Sequence, residues 1–142
     1  MIHVITQYYK VKYQNVPQNL IKKRQNEITL CFKKNLAHKD INKIHFLYES
    51  EDDVMFLKEE GIDIKSNKIV LYNLGSRIKY SDVFEYANNN LKNEICIYLH
   101  ADMCLDTFFN LLNKKSYSPN KVYSLTSHNP NRCNKKLICK CS

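Results

Sequence analysis

Short apolar runs recur along the chain and predict β-strands. They cover residues 3–6, 44–48, 68–72 and 95–99, and a further run at 122–125 follows Pro119. The first run is β-branched and lies at the N-terminus, which suits a strand buried on both faces of a parallel sheet. The run at 95–99 is the most continuous strand signal of the sequence.

Apolar positions at helical spacing lie between these runs. They predict a helix of about five turns from Pro17 to Leu36 and a short segment at 54–57, closed by a turn at Gly61. A second firm helix is predicted with Ser81 as its N-cap. Its predicted apolar face consists of Val83, Phe84, Ala87 and Leu91.

This order of elements predicts an α/β, Rossmann-like fold with a mostly parallel sheet and helices on both faces. We expect strand 95–99 to be central and its carboxyl end to line up with the end of strand 3–6. Ligands of such sheets bind at the carboxyl ends of the strands, near the switch in strand order. The residues that follow the strands are Gln7, Tyr8 and Tyr9; Glu49 and Ser50; Asn73, Gly75 and Arg77; His100, Asp102 and Asp106; and Thr126, Ser127 and His128.

Length and composition indicate one soluble domain over residues 1–142. Hydrophobic residues make up 44% of the chain and charged residues 25%. No apolar run approaches the roughly 20 residues that a membrane span requires. Met1 leads directly into a strand rather than into a signal peptide, so we expect a cytoplasmic, reducing environment.

The net charge is +8, and the way in which the positive charges are distributed along the chain indicates which partners they suit. The lysines are scattered from Lys10 to Lys140, without an arginine cluster or a basic-aromatic stripe. This pattern disfavours dedicated nucleic-acid binding and leaves an anionic small molecule as the better candidate.

The sequence has two glycines, Gly61 and Gly75, which excludes the glycine-rich loops of dinucleotide-binding and P-loop proteins. A bound diphosphate would therefore be held by side chains and a hard divalent cation. Asp102, after strand 95–99, can supply the carboxylate, or it can be a turn or cap residue. Asp106 can contribute to the metal site or cap a helix at 107–112, and His100 can be a ligand or a hydrogen-bonding residue at the strand end.

Several segments together carry a family resemblance. They are Ile-Thr-Gln-Tyr-Tyr at 5–9, Arg-Gln-Asn-Glu-Ile at 24–28 with Cys31 and Asn-Leu at 35–36, Ile-His-Phe-Leu-Tyr-Glu at 44–49, Arg-Ile-Lys-Tyr at 77–80, Phe-Glu-Tyr-Ala-Asn at 84–88, and Leu-His-Ala-Asp at 99–102. In this order, over nearly the whole chain, they resemble glycosyltransferase-like proteins with a GT-A fold. In that family a strand ends in an Asn-Ala-Asp-Ile-like motif.

The resemblance implies a nucleotide-sugar donor site with Mn²⁺ or Mg²⁺. The implied donor-site residues are Thr6, Gln7, Tyr8, Arg77, Tyr80, His100, Ala101 and Asp102. Asp102 matches the metal-binding aspartate of the family, and Asp106 is the second acidic residue. The sequence departs from the family pattern in having His100 in place of asparagine and in placing Asp106 four positions after Asp102, rather than two.

The chain stops at Ser142, where the resembling proteins continue into an acceptor-binding part. The resemblance therefore implies either a fragment of a longer enzyme or a shortened relative that binds without transfer, and no catalytic base is nominated. A silent binding or assembly module of the same fold is the main alternative, ahead of a basic nucleic-acid-associated domain. His128, Cys133, Cys139 and Cys141 can form a zinc site, although the cysteine spacing lacks the pairs of common zinc modules. Two of the cysteines can instead form a disulfide, and we expect free thiols.

Overall fold

The computed structural model describes residues 2–106 and residue 122, and these contain alternating strands and helices. The elements are β1 (Ile2–Thr6), α1 (Gln18–Ala37), β2 (Ile41–Tyr48), α2 (Glu51–Glu59), β3 (Ile69–Asn73), α3 (Tyr80–Asn90) and β4 (Ile95–Tyr98). None of the described helices is long and apolar enough to cross a membrane. The predicted helix at 107–112, the strand residues 123–125 and the C-terminal cysteines lie outside the described residues.

The four described strands form one parallel sheet in the order β3-β2-β1-β4. Ile5 of β1 pairs with His45 of β2 on one side and with Tyr98 of β4 on the other. The predicted alignment of the β1 and β4 carboxyl ends is thus confirmed. β4 is the terminal strand of the described sheet, although we expected it to be central; the strand predicted after it lies mainly outside the described residues.

Helices cover both faces of the sheet, as predicted. On one face, Ile28 and Phe32 of α1 and Leu57 of α2 pack with Val4 and Phe46 of the sheet. On the other face, residues of α3 pack with Ile5 and Leu47. This arrangement follows from right-handed crossovers. The connections through α1 and α2 run in one direction along the sheet, from β1 to β2 and from β2 to β3. The connection through α3 runs in the opposite direction, from β3 to β4, so α3 covers the other face. We call the two faces the α1 side and the α3 side.

The start of α3 differs from the sequence-based prediction. Ser81 is not the N-cap; the helix begins at Tyr80, and the backbone N–H of Lys79 donates to the Asp82 carboxylate at 2.7 Å. A carboxylate three residues after the cap satisfies a free N–H group and favours the positive end of the helix dipole. The helix phase also buries Tyr86 and leaves Phe84 47% exposed, so Phe84 was wrongly assigned to the core face.

The α3 side contains a buried chain of hydrogen bonds between polar side chains. His3 Nδ1 lies 2.9 Å from His45 Nε2, and His45 Nδ1 lies 2.9 Å from the Tyr86 hydroxyl. Burial, reinforced by the nearby His3, lowers the pKa of His45 to about 4. Burial also lowers the pKa of His3, against the opposing effect of Glu94. The fold therefore favours the neutral form of both imidazoles.

Candidate functional site

The order of strands reverses between β1 and β4. The chain leaves β1 for β2 and β3 on one side and returns to β4 on the other side. At this boundary the Thr6 hydroxyl donates to the Leu99 carbonyl at 2.8 Å, and the Leu99 N–H donates to the Ile5 carbonyl at 3.1 Å. Thr6 is 3% exposed, so its hydroxyl joins the two strand ends and does not face solvent. Crevices at such switch points are where open α/β sheets bind ligands.

Gln7, directly after β1, fixes the loop between β3 and α3. Its side-chain amide donates to the carbonyls of Leu47 and Ser76 at 2.9 and 3.2 Å. Its carbonyl oxygen accepts from the Ile78 N–H at 3.1 Å. The bonds to Ser76 and Ile78 flank Arg77, so this buried glutamine positions the arginine at the strand ends.

Five side chains form a group that we call the switch-point cluster: Tyr9, Arg77, Tyr80, Tyr98 and His100. The Arg77 guanidinium lies 5.7 Å from the centre of the Tyr9 ring. The Tyr80 ring lies edge-on to the Tyr98 ring at 5.5 Å, and the His100 ring lies 5.1 Å from Tyr98. The cluster thus combines aromatic surface with a guanidinium and an imidazole.

Exposure within the cluster increases outwards from the sheet. Tyr98 is half-buried, whereas Tyr80 is 64% exposed and Arg77 and His100 are exposed. Burial, followed by the neighbouring Tyr80 and Tyr9, raises the pKa of Tyr98, and Arg77 acts in the opposite direction. An accessible aromatic surface can stack on a planar base, and a guanidinium can donate two parallel hydrogen bonds to phosphate oxygens.

Tyr8 lies on the opposite side of β1 from the cluster. The side chain is 1% exposed and packs on Phe32, Phe46 and Phe56. Its hydroxyl forms a 2.7 Å hydrogen bond with Thr29 of α1. Of the two tyrosines after β1, Tyr9 is half-buried and lies beside Arg77, whereas Tyr8 belongs to the core.

Asp102 lies on the α1 side, where it pairs with an arginine that the sequence analysis did not single out. Arg24 of α1 donates to the Asp102 carboxylate at 2.7 Å. This bond, the largest of several causes, raises the pKa of Arg24 further above its ordinary value. The backbone around Asp102 is a turn, in which the Met103 N–H donates to the His100 carbonyl.

Residues 102–106, which we call the strap, follow one side of α1. Asn35 donates to the Met103 carbonyl at 3.0 Å and accepts from the Leu105 N–H at 2.9 Å. His38 Nε2 donates to the Asp106 carbonyl at 3.0 Å, while its Nδ1 accepts from a backbone N–H. The strap is therefore held at several points by side chains of α1 and of His38, the residue that follows it.

The described residues around Asp102 offer few candidate ligands for the predicted Mn²⁺ or Mg²⁺ ion. No three His, Cys, Asp or Glu side chains within residues 2–106 are grouped so that they could hold a metal. The Asp102 carboxylate is engaged by Arg24, and a hard cation needs several oxygen ligands.

The residues predicted from the sequence separate into two groups. Arg77, Tyr80 and His100 lie in the switch-point cluster, with Thr6 and Gln7 supporting the strand ends beside it. Asp102, preceded by the half-buried Ala101, lies on the α1 side with the strap.

Two residues that contribute to these groups, Tyr98 and Arg24, were not predicted from the sequence. Tyr98 was named only as part of the predicted strand 95–99, and alternation along β4 could have assigned it to the α3 side. Arg24 was quoted only within the resembling segments; its seven-residue spacing from Cys31, together with Asn35 and His38, marks one helix face.

No family model, no curated protein and no solved structure matches this chain.

Proposed function

We propose that this chain is a GT-A-like domain that binds the nucleoside diphosphate part of a nucleotide sugar at the switch-point cluster. The observation that carries the proposal is the position of Arg77, which Gln7 holds beside the reversal in strand order. Other open α/β sheets bind nucleotides at this reversal in strand order. A guanidinium there supplies a phosphate contact without a glycine-rich loop.

In this proposal the members of the cluster have separate roles. Tyr9 and Tyr80 offer aromatic surface to the base, and Tyr98 supports Tyr80 from the sheet. Arg77 contacts the diphosphate, and the exposed His100 lies next to Tyr80 and Tyr98. The groups proposed to contact the ligand include the exposed Tyr80 and Arg77, and the half-buried Tyr98 lies directly against Tyr80.

The proposed function is binding, and no residue is assigned to sugar transfer. A silent binding module of the same fold uses the same cluster, so the two hypotheses differ only in turnover. A Mn²⁺ or Mg²⁺ ion stays a prediction from the resemblance.

Thermal unfolding with UDP, GDP and their hexose conjugates, each in Mn²⁺ and in EDTA, tests the proposal. A ligand that binds only the folded chain raises Tm, and above the Kd the rise grows with the logarithm of the ligand concentration. Arg77→Gln should weaken binding about tenfold or more, because hydrogen bonds to charged groups contribute about 1.5–3 kcal/mol. Lys79→Gln is the matched control, since it removes one exposed positive charge from the same loop.

Failure to bind any of these ligands at millimolar concentration would contradict the proposal. Equal weakening by Arg77→Gln and Lys79→Gln would indicate attraction by net charge alone. Binding of generic oligonucleotides that weakens steeply with salt, without nucleotide-sugar binding, would support the nucleic-acid alternative. Binding without hydrolysis or transfer would support the silent module.

A further inference from the structure

Two cysteines lie near each other where the strap lies against α1. Asn35 holds the backbone on both sides of Cys104, through Met103 and Leu105. Cys31 lies four residues before Asn35, on the same face of the helix. Burial and then the neighbouring Cys104 thiol raise the pKa of Cys31 to about 11.

The two thiols differ in their access to solvent. Cys104 is exposed, whereas Cys31 is half-buried beneath the strap. The exposed thiol is open to a small oxidant, and the half-buried thiol is positioned to react with it afterwards. Cys96, the third described cysteine, is in β4 and has the Glu94 carbonyl as its hydrogen-bond partner.

The backbone at Cys104 can adjust to the geometry of a disulfide. A disulfide requires Cα atoms about 4.4–6.8 Å apart and a specific orientation of the two side chains. Cys31 is fixed in α1, but residues 103–106 belong to no helix or strand. A small movement of the strap, rather than of the core, can therefore complete the bond.

We propose that Cys31 and Cys104 are a redox modification site, which a low-molecular-weight disulfide such as oxidised glutathione converts into an intramolecular disulfide. The Cys104 thiolate attacks one sulfur of oxidised glutathione, forms a mixed disulfide and releases one glutathione thiolate. Cys31, after losing its proton, attacks the Cys104 sulfur and releases the second glutathione. The two protein thiols are oxidised, and one glutathione disulfide is reduced to two thiols.

The modification fixes the segment that carries Asp102. Without it, the strap is held to α1 by the Arg24 ion pair and by hydrogen bonds from Asn35 and His38. The disulfide adds a covalent link between these contacts, so opening of residues 102–106 becomes rarer. In a reducing compartment such a bond is transient, which is typical of redox-sensing pairs. This inference does not depend on the proposed nucleotide site.

The test incubates the full chain in reduced and oxidised glutathione mixtures, alkylates the remaining thiols and maps the peptides by mass spectrometry. We expect a peptide that links Cys31 to Cys104, with loss of two hydrogen atoms. Tm should rise by roughly 5–10 °C on oxidation, because the bond closes a long loop. Amide hydrogen exchange in the strap should slow.

Three variants sharpen the result. Cys31→Ala and Cys104→Ser should each abolish the linked peptide and the rise in Tm, whereas Cys96→Ser should keep both. A chain with Cys133, Cys139 and Cys141 changed to serine should still form the link. The proposal is overturned if Cys104 takes up glutathione while Cys31 stays open to alkylation, or if Cys104 links to a C-terminal cysteine instead. The peptide map of the unmodified sequence decides this even if a variant fails to fold.

Discussion

The carboxylate of Asp102 accepts a 2.7 Å hydrogen bond from Arg24, a residue 78 positions earlier in the sequence. The pair connects the segment after β4 to the helix after β1. It thereby determines the surroundings of the residue that the sequence analysis singled out as the metal contact.

We expect the Arg24–Asp102 pair to contribute about 0.5–1 kcal/mol to the free energy of unfolding. The side chains are 36% and 33% exposed, so solvent screens the attraction. Asp102→Asn and Arg24→Gln should each lower the stability by about this amount in urea unfolding, and the double variant by little more. Glu27→Gln, which affects only the exposed pair with Arg24, should change stability less. Additive effects of the two single changes would contradict a direct coupling.

The predicted metal contact is tested by the same substitution in the presence of ligand. If Mn²⁺ binds at Asp102, it should increase the stabilisation by a nucleoside diphosphate, and Asp102→Asn should abolish that increase. Asparagine keeps an oxygen atom but lacks the charge that a hard dication requires. Asp106→Asn is the comparison, and we expect it to have a smaller effect. If Mn²⁺ changes Tm equally in the natural chain and in Asp102→Asn, the metal assignment is wrong.

Gln7→Met should lower the free energy of unfolding by about 1–3 kcal/mol. Methionine is similar in size but leaves the Ile78 N–H and the carbonyls of Leu47 and Ser76 without this partner. Hydrogen exchange at the amides around Arg77 should accelerate, and nucleoside diphosphate affinity should fall although Arg77 is unchanged. An unchanged exchange rate would mean that Gln7 does not hold the loop.

Substitutions at Tyr8 and Tyr9 should have different effects, one on stability and the other on nucleotide affinity. Tyr8→Phe removes a hydroxyl that is hydrogen-bonded to Thr29 in the core, so stability should fall by about 1 kcal/mol while ligand affinity stays the same. Tyr9→Ala removes the ring beside Arg77 and should weaken nucleotide binding several-fold. Calorimetric titration and urea unfolding separate the two effects. Loss of affinity in Tyr8→Phe alone would reverse the assignment.

Stability should decrease as the pH falls from about 6.5 to about 4. The pKa of His45 is lowered from 6.5 to about 4, so the unfolded chain binds a proton that the folded chain excludes in this range. The stabilisation is complete above pH 6.5 and diminishes below it, by up to about 3 kcal/mol at pH 4. The measurement is the urea midpoint as a function of pH across this range. His45→Gln should remove much of the dependence of the midpoint on pH, whereas His100→Gln should keep it. A flat profile in the natural chain would contradict the prediction.

The positions of the strands and helices were largely predictable because their signals are local. Apolar runs predicted β1 to β4 within a few residues, and helical spacing predicted α1 and α3. Ser81 and Phe84 were misassigned because a shift of one or two residues in the helix start rotates the face that it buries. Tyr8 and Gln7 were grouped as equivalent loop residues, although alternation beyond β1 places them on opposite sides of the sheet.

The sequence by itself determined the α/β class and the order of the elements from β1 to β4, and it placed Arg77, Tyr80 and His100 after parallel strands. Periodicity and turn chemistry act over a few residues, so they can be read without coordinates. Only the tertiary structure decided that Gln7 holds the Arg77 loop, that Arg24 engages Asp102, and that Cys31 lies near Cys104. These contacts join residues far apart in the chain, and they depend on which face of the sheet each crossover covers. No local pattern specifies such a distance, because it is set by the packing of whole elements against one core.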